Sequence, residues 1–373
     1  MKKSLLALVI ATCARQSVMA ATVYDKDGTS LKVGGRVQAV LYKGGSDDNE
    51  AGEKDSTLVN SARFNIEGKT KVNSNLKPFA KAEWDMSDGV NKDKVNSRDM
   101  FVGVNFGDFG KIQLGRYKSN QAWVTKTTDV FDDFGCLGQS NDDSRNSGRI
   151  DYEFKHSGFE AKIGYVTAVN GFTILKKDIY TILKKDIKKL HDVDFKSVNI
   201  DHAFSLATGY TFDNLVFGPL SLRAGFEQIV GQEEEGANKL PDFDKVNSYS
   251  FGASWGSDVG FYTGLSYENK KLQFNNDIDD VKTQALEFVA GYGFDFGLSL
   301  IAGYNQVKIK DYFKDDVTLK YLPVYANYKL NPNFNIWSEA RFNLTSDDDL
   351  KTSKLKDKNT DGTYFSVGAR YTF

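Results

Sequence analysis

The chain has 373 residues, 48 of them basic and 50 acidic, with 26% charged residues and a mean hydropathy of −0.44. Apart from one N-terminal run it offers no stretch of roughly 20 apolar residues, which excludes a helical membrane span, and its near-neutral balance is not the footprint of a nucleic-acid-binding protein. Thirty-three glycines against five prolines, with 18 tyrosines and 27 phenylalanines, make a strand-and-turn composition rich in the aromatics of membrane interfaces.

At the N-terminus Lys2 and Lys3 precede an apolar run from Leu5 to Ala11, and Val18, Met19 and Ala20 form a cleavage site, a pattern that predicts a secretory signal over residues 1–20. Losing Lys2, Lys3 and Arg15 leaves 45 basic against 50 acidic residues, a formal charge of −5, and losing Cys13 leaves Cys136 as the single thiol, so no intrachain disulfide is expected. Residues 21–373 show no composition break and read as one domain. Strand signals recur at 31–42, 56–70, 76–84, 98–106, 111–117, 147–155, 159–167, 202–212, 220–230, 248–255, 261–274, 283–294, 298–309, 319–330, 334–343 and 363–373, about sixteen in all. Their connections alternate between short turns, as at 107–110, 156–158, 256–260, 295–297 and 331–333, and longer polar loops. The pattern predicts an all-β, antiparallel transmembrane barrel of about 16 strands in an outer membrane, with both termini on the periplasmic side.

Individual strands have two clear faces. Ile150, Tyr152 and Phe154 alternate with Arg149, Asp151, Glu153 and Lys155, and Phe159, Ala161, Ile163 and Tyr165 alternate with Glu160 and Lys162. Turning a basic residue toward lipid at the midplane costs roughly 2–4 kcal/mol, which fixes the register. The strand at 98–106 fits less well, since Met100, Val102 and Val104 share the expected inner face with Arg98. The last strand, 363–373, alternates to its end, with Phe365, Val367, Ala369, Tyr371 and Phe373 on the apolar face. A free apolar edge invites pairing with other chains, and a closed barrel removes that edge.

The connection over about 118–146 carries Trp123, Phe131 and Phe134 among Asp129, Asp132 and Asp133, a composition that predicts folding into the barrel interior. The pleat puts Arg36, Arg63, Arg98, Arg145 and Arg149 on inner faces, so an acidic loop faces a basic wall across a water-filled constriction. In this reading Asp129, Asp133, Arg36, Arg63, Arg98 and Arg145 line the constriction, with Asp132 and Arg149 as additional pore-lining candidates. Small hydrophilic solutes and ions then pass down their gradients, with selectivity set by the charged ring. Tyr262, Tyr321, Tyr325 and Trp337 are candidates for a lumen-facing track in a substrate-selective channel.

Several stretches carry a family resemblance. Ser61-Ala62-Arg63-Phe64-Asn65-Ile66-Glu67-Gly68, Ser97-Arg98-Asp99-Met100-Phe101-Val102-Gly103-Val104, Gly115-Arg116-Tyr117 and Thr128-Asp129-Val130-Phe131-Asp132-Asp133-Phe134-Gly135 resemble the second, fourth and fifth strands and the constriction loop of the enterobacterial general-diffusion porins. The resemblance implies a sixteen-stranded homotrimer with one pore per subunit. It also implies loop carboxylates at Asp129 and Asp133 and wall cations at Arg36, Arg63, Arg98 and Arg145. Asp132 stands where that family often has proline, and Cys136 where it often has glycine.

One loop is peculiar to this chain. Ile174-Leu175-Lys176-Lys177-Asp178-Ile179 recurs eight residues later as Ile182-Leu183-Lys184-Lys185-Asp186-Ile187, a duplication over 174–189 at a loop tip. Its apolar residues share a helical face, and its lysines are candidates for lipopolysaccharide phosphates, an addition to the outer-membrane lipids expected as partners. The clusters Asp47-Asp48, Glu233 to Glu235 and Asp347 to Asp349 match no dedicated metal loop, and neither a metal nor a cofactor is expected. With His156, His191 and His202 as its three histidines the chain shows no catalytic triad, so an enzyme is not expected. The remaining alternative is a surface adhesin or receptor barrel, whose long loops would bind hosts.

Overall fold

The computed structural model describes residues 20–43, 56–89, 92–135, 145–174, 198–232, 243–274, 280–310, 316–350 and 363–373. The secretory signal up to residue 19, Cys136, His191, the duplicated segment beyond Ile174 and the clusters at 47–48 and 233–235 lie outside them. The strands are β1 (Ala21–Lys26), β2 (Thr29–Lys43), β3 (Ser56–Thr70), β4 (Lys77–Gly89), β5 (Lys92–Asn105), β6 (Lys111–Lys118), β7 (Arg145–His156), β8 (Phe159–Val166) and β9 (Val169–Phe172). They continue with β10 (Val198–Phe212), β11 (Leu220–Gly231), β12 (Phe243–Gly256), β13 (Gly260–Phe274), β14 (Val281–Gly293), β15 (Leu298–Lys310), β16 (Val317–Lys329), β17 (Phe334–Asn343) and β18 (Tyr364–Thr372). Each pairs antiparallel with the next, save that β8 and β9 run end to end and both pair with β10. β18 returns to pair with β2, closing a barrel of sixteen strands.

The closure is shared between two partners. β18 covers β2 from Arg36 to Lys43, while β1 folds back through an Asp27-Gly28 turn and covers β2 from Thr29 to Val33. Both turn residues have positive φ, 52° and 74°, as a two-residue hairpin requires. At the handover Gly35 donates to the Phe373 carbonyl (2.9 Å) and accepts from its amide (3.0 Å). A Cβ on Gly35 would stand 2.4 Å from the Arg63 carbonyl and 2.8 Å from the Phe373 ring. The strand reading from the sequence did not include β1.

Two further differences from the sequence expectation have local causes. Residues 85–89 and 92–97 are strand rather than loop, since β4 runs on to Gly89 and β5 begins at Lys92. Their register slips by one residue between Ala82 and Trp84, which face Met100 and Ser97, so a bulge places both Arg98 and Asp99 opposite Glu83. The bulge reverses the parity of the strand beyond it. Val102 is 59% exposed on the outer wall, while Phe101 meets the inner Tyr117 ring at 5.6 Å. Met100, Val102 and Val104 therefore do not line the lumen with Arg98.

The outer wall is apolar over the membrane zone, with Val37, Leu58, Ile150, Phe204, Phe251, Phe288 and Val367 exposed. Toward the long-loop end of β10–β16 the polarity inverts. Ile200, Ile229, Val246, Leu272, Val281, Val307, Ile309 and Val317 point inward and are all but fully buried in one cluster, joined by Phe172, Ile174 and Leu350. Their outward neighbours are Gln228, Asn247, Lys271, Lys282, Lys308 and Lys310. Crossing the bilayer takes about 9–11 residues, and β13 has 15. The excess strand stands in water and buries its apolar face inside, as a soluble β-structure does. The acidic cluster at Asp347 to Asp349 begins a short helix at this rim, Asp347–Leu350, whose Asp349 accepts from Lys320 Nζ at 2.5 Å.

Gly35→Val should lower the denaturation temperature of the detergent-solubilised barrel, with about 1–3 kcal/mol lost to overpacking, as read by its mobility on heating. Ile229→Ala should cost about 2–5 kcal/mol in urea unfolding, whereas its outward neighbour Gln228→Ala should stay within about 0.5 kcal/mol.

Candidate functional site: the constriction loop and the wall it faces

After β6, Ser119 caps a short helix α1 (Asn120–Thr125), its side chain accepting from the Ala122 amide at 3.2 Å. One tight turn over Lys126–Thr128 follows. The segment lies flat on the inner face of β10–β14. Asn120 donates to Ser205 Oγ (3.0 Å), Gln121 to the Ser248 carbonyl (3.1 Å), Thr127 to the Leu265 carbonyl (2.8 Å) and Thr128 to Glu287 Oε2 (2.7 Å). Flush contact needs bare backbone on the wall. A Cβ on Gly252 would stand 2.1 Å from the Val124 carbonyl, and one on Gly264 2.0 Å from that of Thr127.

The loop tip is fixed by one carboxylate. Glu339 on β17 accepts the backbone amides of Asp132 (2.9 Å) and Asp133 (2.9 Å) on one oxygen and of Phe134 (2.6 Å) on the other. The tip side chains turn to the same wall. Asp132 accepts from Tyr325 (2.6 Å) and from Arg370 (3.2 Å), which stacks on Trp337. Asp133 accepts from Tyr42 (2.8 Å), Trp337 (2.8 Å) and Ser366 (2.5 Å). Phe134 packs between Tyr42, Tyr364 and Arg341, and Phe131 between Tyr262 and Tyr325. The four aromatics considered for a solute track are thus engaged with the loop or, for Tyr321, with the Arg341 guanidinium at 4.8 Å. Asp129, three residues before Asp132, lies beside a cavity of about 370 Å³ at the short-turn end.

The loop lies against β8–β18 and touches β2 through Tyr42, and it leaves open the charged lumen wall of β2–β6 and the start of β7. There Arg36 and Arg63 stand directly opposite one another in register. Arg63 pairs with Asp85 (2.6 Å), Arg98 with Glu83 (2.8 Å) and with Asp85, and Arg145 with Asp99 (2.6 Å), while Lys81 bridges Glu83 (2.9 Å) and Asp99 (3.1 Å). The wall is an interleaved ladder of five cations and three anions rather than a purely basic surface. Four of the expected arginines are brought together on this wall. Arg149 is not with them. Its side chain is buried against Tyr117 and Asp151 (3.2 Å) under α1, so it does not line an open pore.

Sequence reasoning passed over Glu339, Arg370 and the three wall acids. Two of the acids were readable, since Lys81, Glu83 and Asp85 alternate on one face of β4, whereas Asp99 joins them only through the bulge in β5. The inner-face glycines Gly252 and Gly264 marked the path of the loop. Glu339 carried no local signal, because its partners are backbone amides about 205 residues away.

A closed barrel with a water-exposed charged wall, narrowed by an inward loop, is a transmembrane channel. Residues 4–349 match the Gram-negative porin family, and the chain belongs to it. It is similar to the outer membrane porin PhoE of Enterobacter cloacae, 28% identical over the whole of both chains, and to outer membrane porin F of Salmonella typhi, 27% identical over the whole of both. Among solved structures it resembles Salmonella typhi OmpF in complex with daunomycin, with a TM-score of 0.70 at 22% identity over 95% of this chain and 100% of that one. It also resembles the anion-selective porin of Comamonas acidovorans, with a TM-score of 0.66 at 19% identity over 92% of this chain and 100% of that one. The protein is an outer-membrane porin that forms a passive diffusion channel, and its relatives are channels rather than enzymes.

Glu339→Gln replaces one acceptor oxygen with a donor facing other donors. It should release the loop tip at a cost of about 1–3 kcal/mol and show as added noise in single-channel current.

Proposed function

We propose that this porin is a general-diffusion channel whose narrowest passage runs between the loop and the ladder of Arg36, Arg63, Arg98 and Arg145. The observation that carries the reading is the pinning of the loop to β8–β18, which leaves the charged half of the lumen as the passage. Small hydrophilic solutes and ions cross it without saturation. Within this reading Asp133 acts as an anchor, Asp132 is held by Arg370, and Asp129 sets the field at the short-turn mouth. The wall acids reduce its positive excess, and interaction with a permeating ion is strong because the opening is narrow and its walls are weakly polarisable.

The signal over residues 1–20 is removed on export, and both termini face the periplasm, on the side of the short turns. The working unit is a homotrimer joined through β2–β6. The most exposed apolar side chains on these strands are aliphatic, such as Val37, Leu41, Leu58 and Val102. The exposed tyrosines and phenylalanines of the barrel strands, from Tyr152 to Tyr371, sit on β7–β18, where they form the lipid girdle. Lipopolysaccharide is the neighbouring lipid at the long-loop end. Lys271, Lys282 and Lys310 stand side by side on the outer face of β13–β15, directly paired in register. Like charges so placed repel, and an anionic headgroup relieves them, with Asp280 already pairing Lys271 at 2.6 Å.

The test is reversal potential under a salt gradient in planar bilayers. Arg63→Gln with Arg98→Gln should shift selectivity toward cations, and Asp129→Asn should shift it toward anions with conductance retained. Asp133→Asn should chiefly destabilise the loop. Unchanged selectivity in the double arginine variant would remove the ladder from the passage, and a folded barrel that never conducts would favour the adhesin reading.

A further inference from the structure

The connection between β10 and β11 is unlike the polar turns at the same end of the barrel. The β7–β8 turn is His156-Ser157-Gly158 and the β16–β17 turn Asn331-Pro332-Asn333, whereas this one carries Leu215, Val216 and Phe217 in succession. All three are exposed, Val216 at 83%. A single exposed apolar residue, such as Phe109 on another short turn, is ordinary, but a contiguous apolar patch marks a contact.

The patch here is contiguous. The Phe217 ring lies 4.9 Å from that of Trp255 and 5.6 Å from that of Phe261. These two share the outer face of β12 and β13 with the exposed Phe251 and Leu265, so the turn folds back against the outer wall. Val259, two residues before Phe261, is exposed in the next turn. Phe261 also pairs in register with the exposed Tyr292, whose ring meets Phe294 at 4.9 Å.

The turn suits a medium poorer in hydrogen bonds than water. The Leu215 carbonyl accepts from the Phe217 amide (2.7 Å) and the Trp255 indole N–H (2.5 Å), and the Leu215 amide donates to the Gly218 carbonyl (3.0 Å). Pro219 has no N–H, and its carbonyl accepts from the Gly256 amide (3.2 Å). Backbone groups left unpaired are costly where water does not reach, and these are paired. Val216 holds φ at 55°, which glycine adopts freely and a β-branched residue rarely does. Valine there strains the backbone to present an apolar side chain, and burial of that side chain in an apolar medium offsets the strain.

We infer that the Leu215–Phe217 turn seats in the phospholipid leaflet on the short-turn side, anchoring the barrel beyond the ends of β10 and β11. The occupant is lipid because the patch continues the outer wall that faces the bilayer and opens no separate face toward the aqueous compartment.

The test is fluorescence quenching of the exported protein in phosphatidylcholine vesicles, with Cys136→Ser as background. A small thiol-reactive dye is placed on Val216→Cys, on Val259→Cys, or on Ser157→Cys at a polar turn of the same end, with iodide on both sides of the membrane. Dye at 216 and 259 should emit at shorter wavelength, lose intensity to lipids brominated near the glycerol end of their chains and keep it against iodide. Dye at 157 should do the reverse. Single-channel conductance of each labelled protein identifies folded pores and tests the channel reading by itself. Iodide quenching at 216 as strong as at 157, in a conducting pore, would overturn the inference and assign the patch to a partner in the aqueous compartment. The same result at 259 would overturn it where Val216→Cys does not fold.

Discussion

Eight register pairs between β18 and β2 convert a meander of strands into a closed surface, and the remaining structure depends on that closure. In hydrocarbon an unpaired amide or carbonyl has no solvent to satisfy it, so an open sheet of this kind could not span a bilayer. Closure also fixes the parity of each strand in the membrane zone, with lipid outside and water or the loop inside. β1 extends the same logic below the point where β18 ends, by occupying the edge of β2 that would otherwise stand open.

Inside the closed wall, the loop behaves as a strut rather than a flexible fringe. Its helix rests on glycines, its middle is held by threonine hydroxyls, and its tip hangs from Glu339 by three amides. The chemistry of the tip explains its acidic composition in an unexpected way. Asp132 and Asp133 spend their oxygens on tyrosine, tryptophan, serine and arginine donors of the wall. Charge that looks functional in the sequence is therefore partly mechanical, and the same holds for Arg149, enclosed beneath α1.

Much of the architecture was legible because period-two alternation is a local signal. All sixteen barrel strands, the terminal strand above all, and the inward course of the loop could be read from residues a few positions apart. What escaped depends on distance or on a single inserted residue. The bulge at Arg98 and Asp99 is defined by pairing with β4, and alternation counted along β5 alone assigns Met100 and Val102 to the wrong face. Glu339 looks like any inward carboxylate until the loop is in place. β1 had a usable sign in its Asp27-Gly28 turn, but six exposed residues carry little hydrophobic pattern. The inversion along β10–β16 was present as runs such as Val307-Lys308-Ile309-Lys310, whose alternation is clear while its sense requires knowing where the bilayer stops.

That inversion gives one polypeptide two different solvents to fold against. In the membrane zone the outward side chains are stabilised by whatever amphiphile surrounds them, lipid or detergent, and changing it changes their contribution. The rim above β10–β16 has an apolar interior of its own, removed from water in the manner of a soluble protein. Unfolding that rim exposes apolar surface to water, with the accompanying rise in heat capacity, whereas side chains that stay with the amphiphile contribute little to it. The barrel thus carries a calorimetric signature set by its rim and a solvent dependence set by its waist.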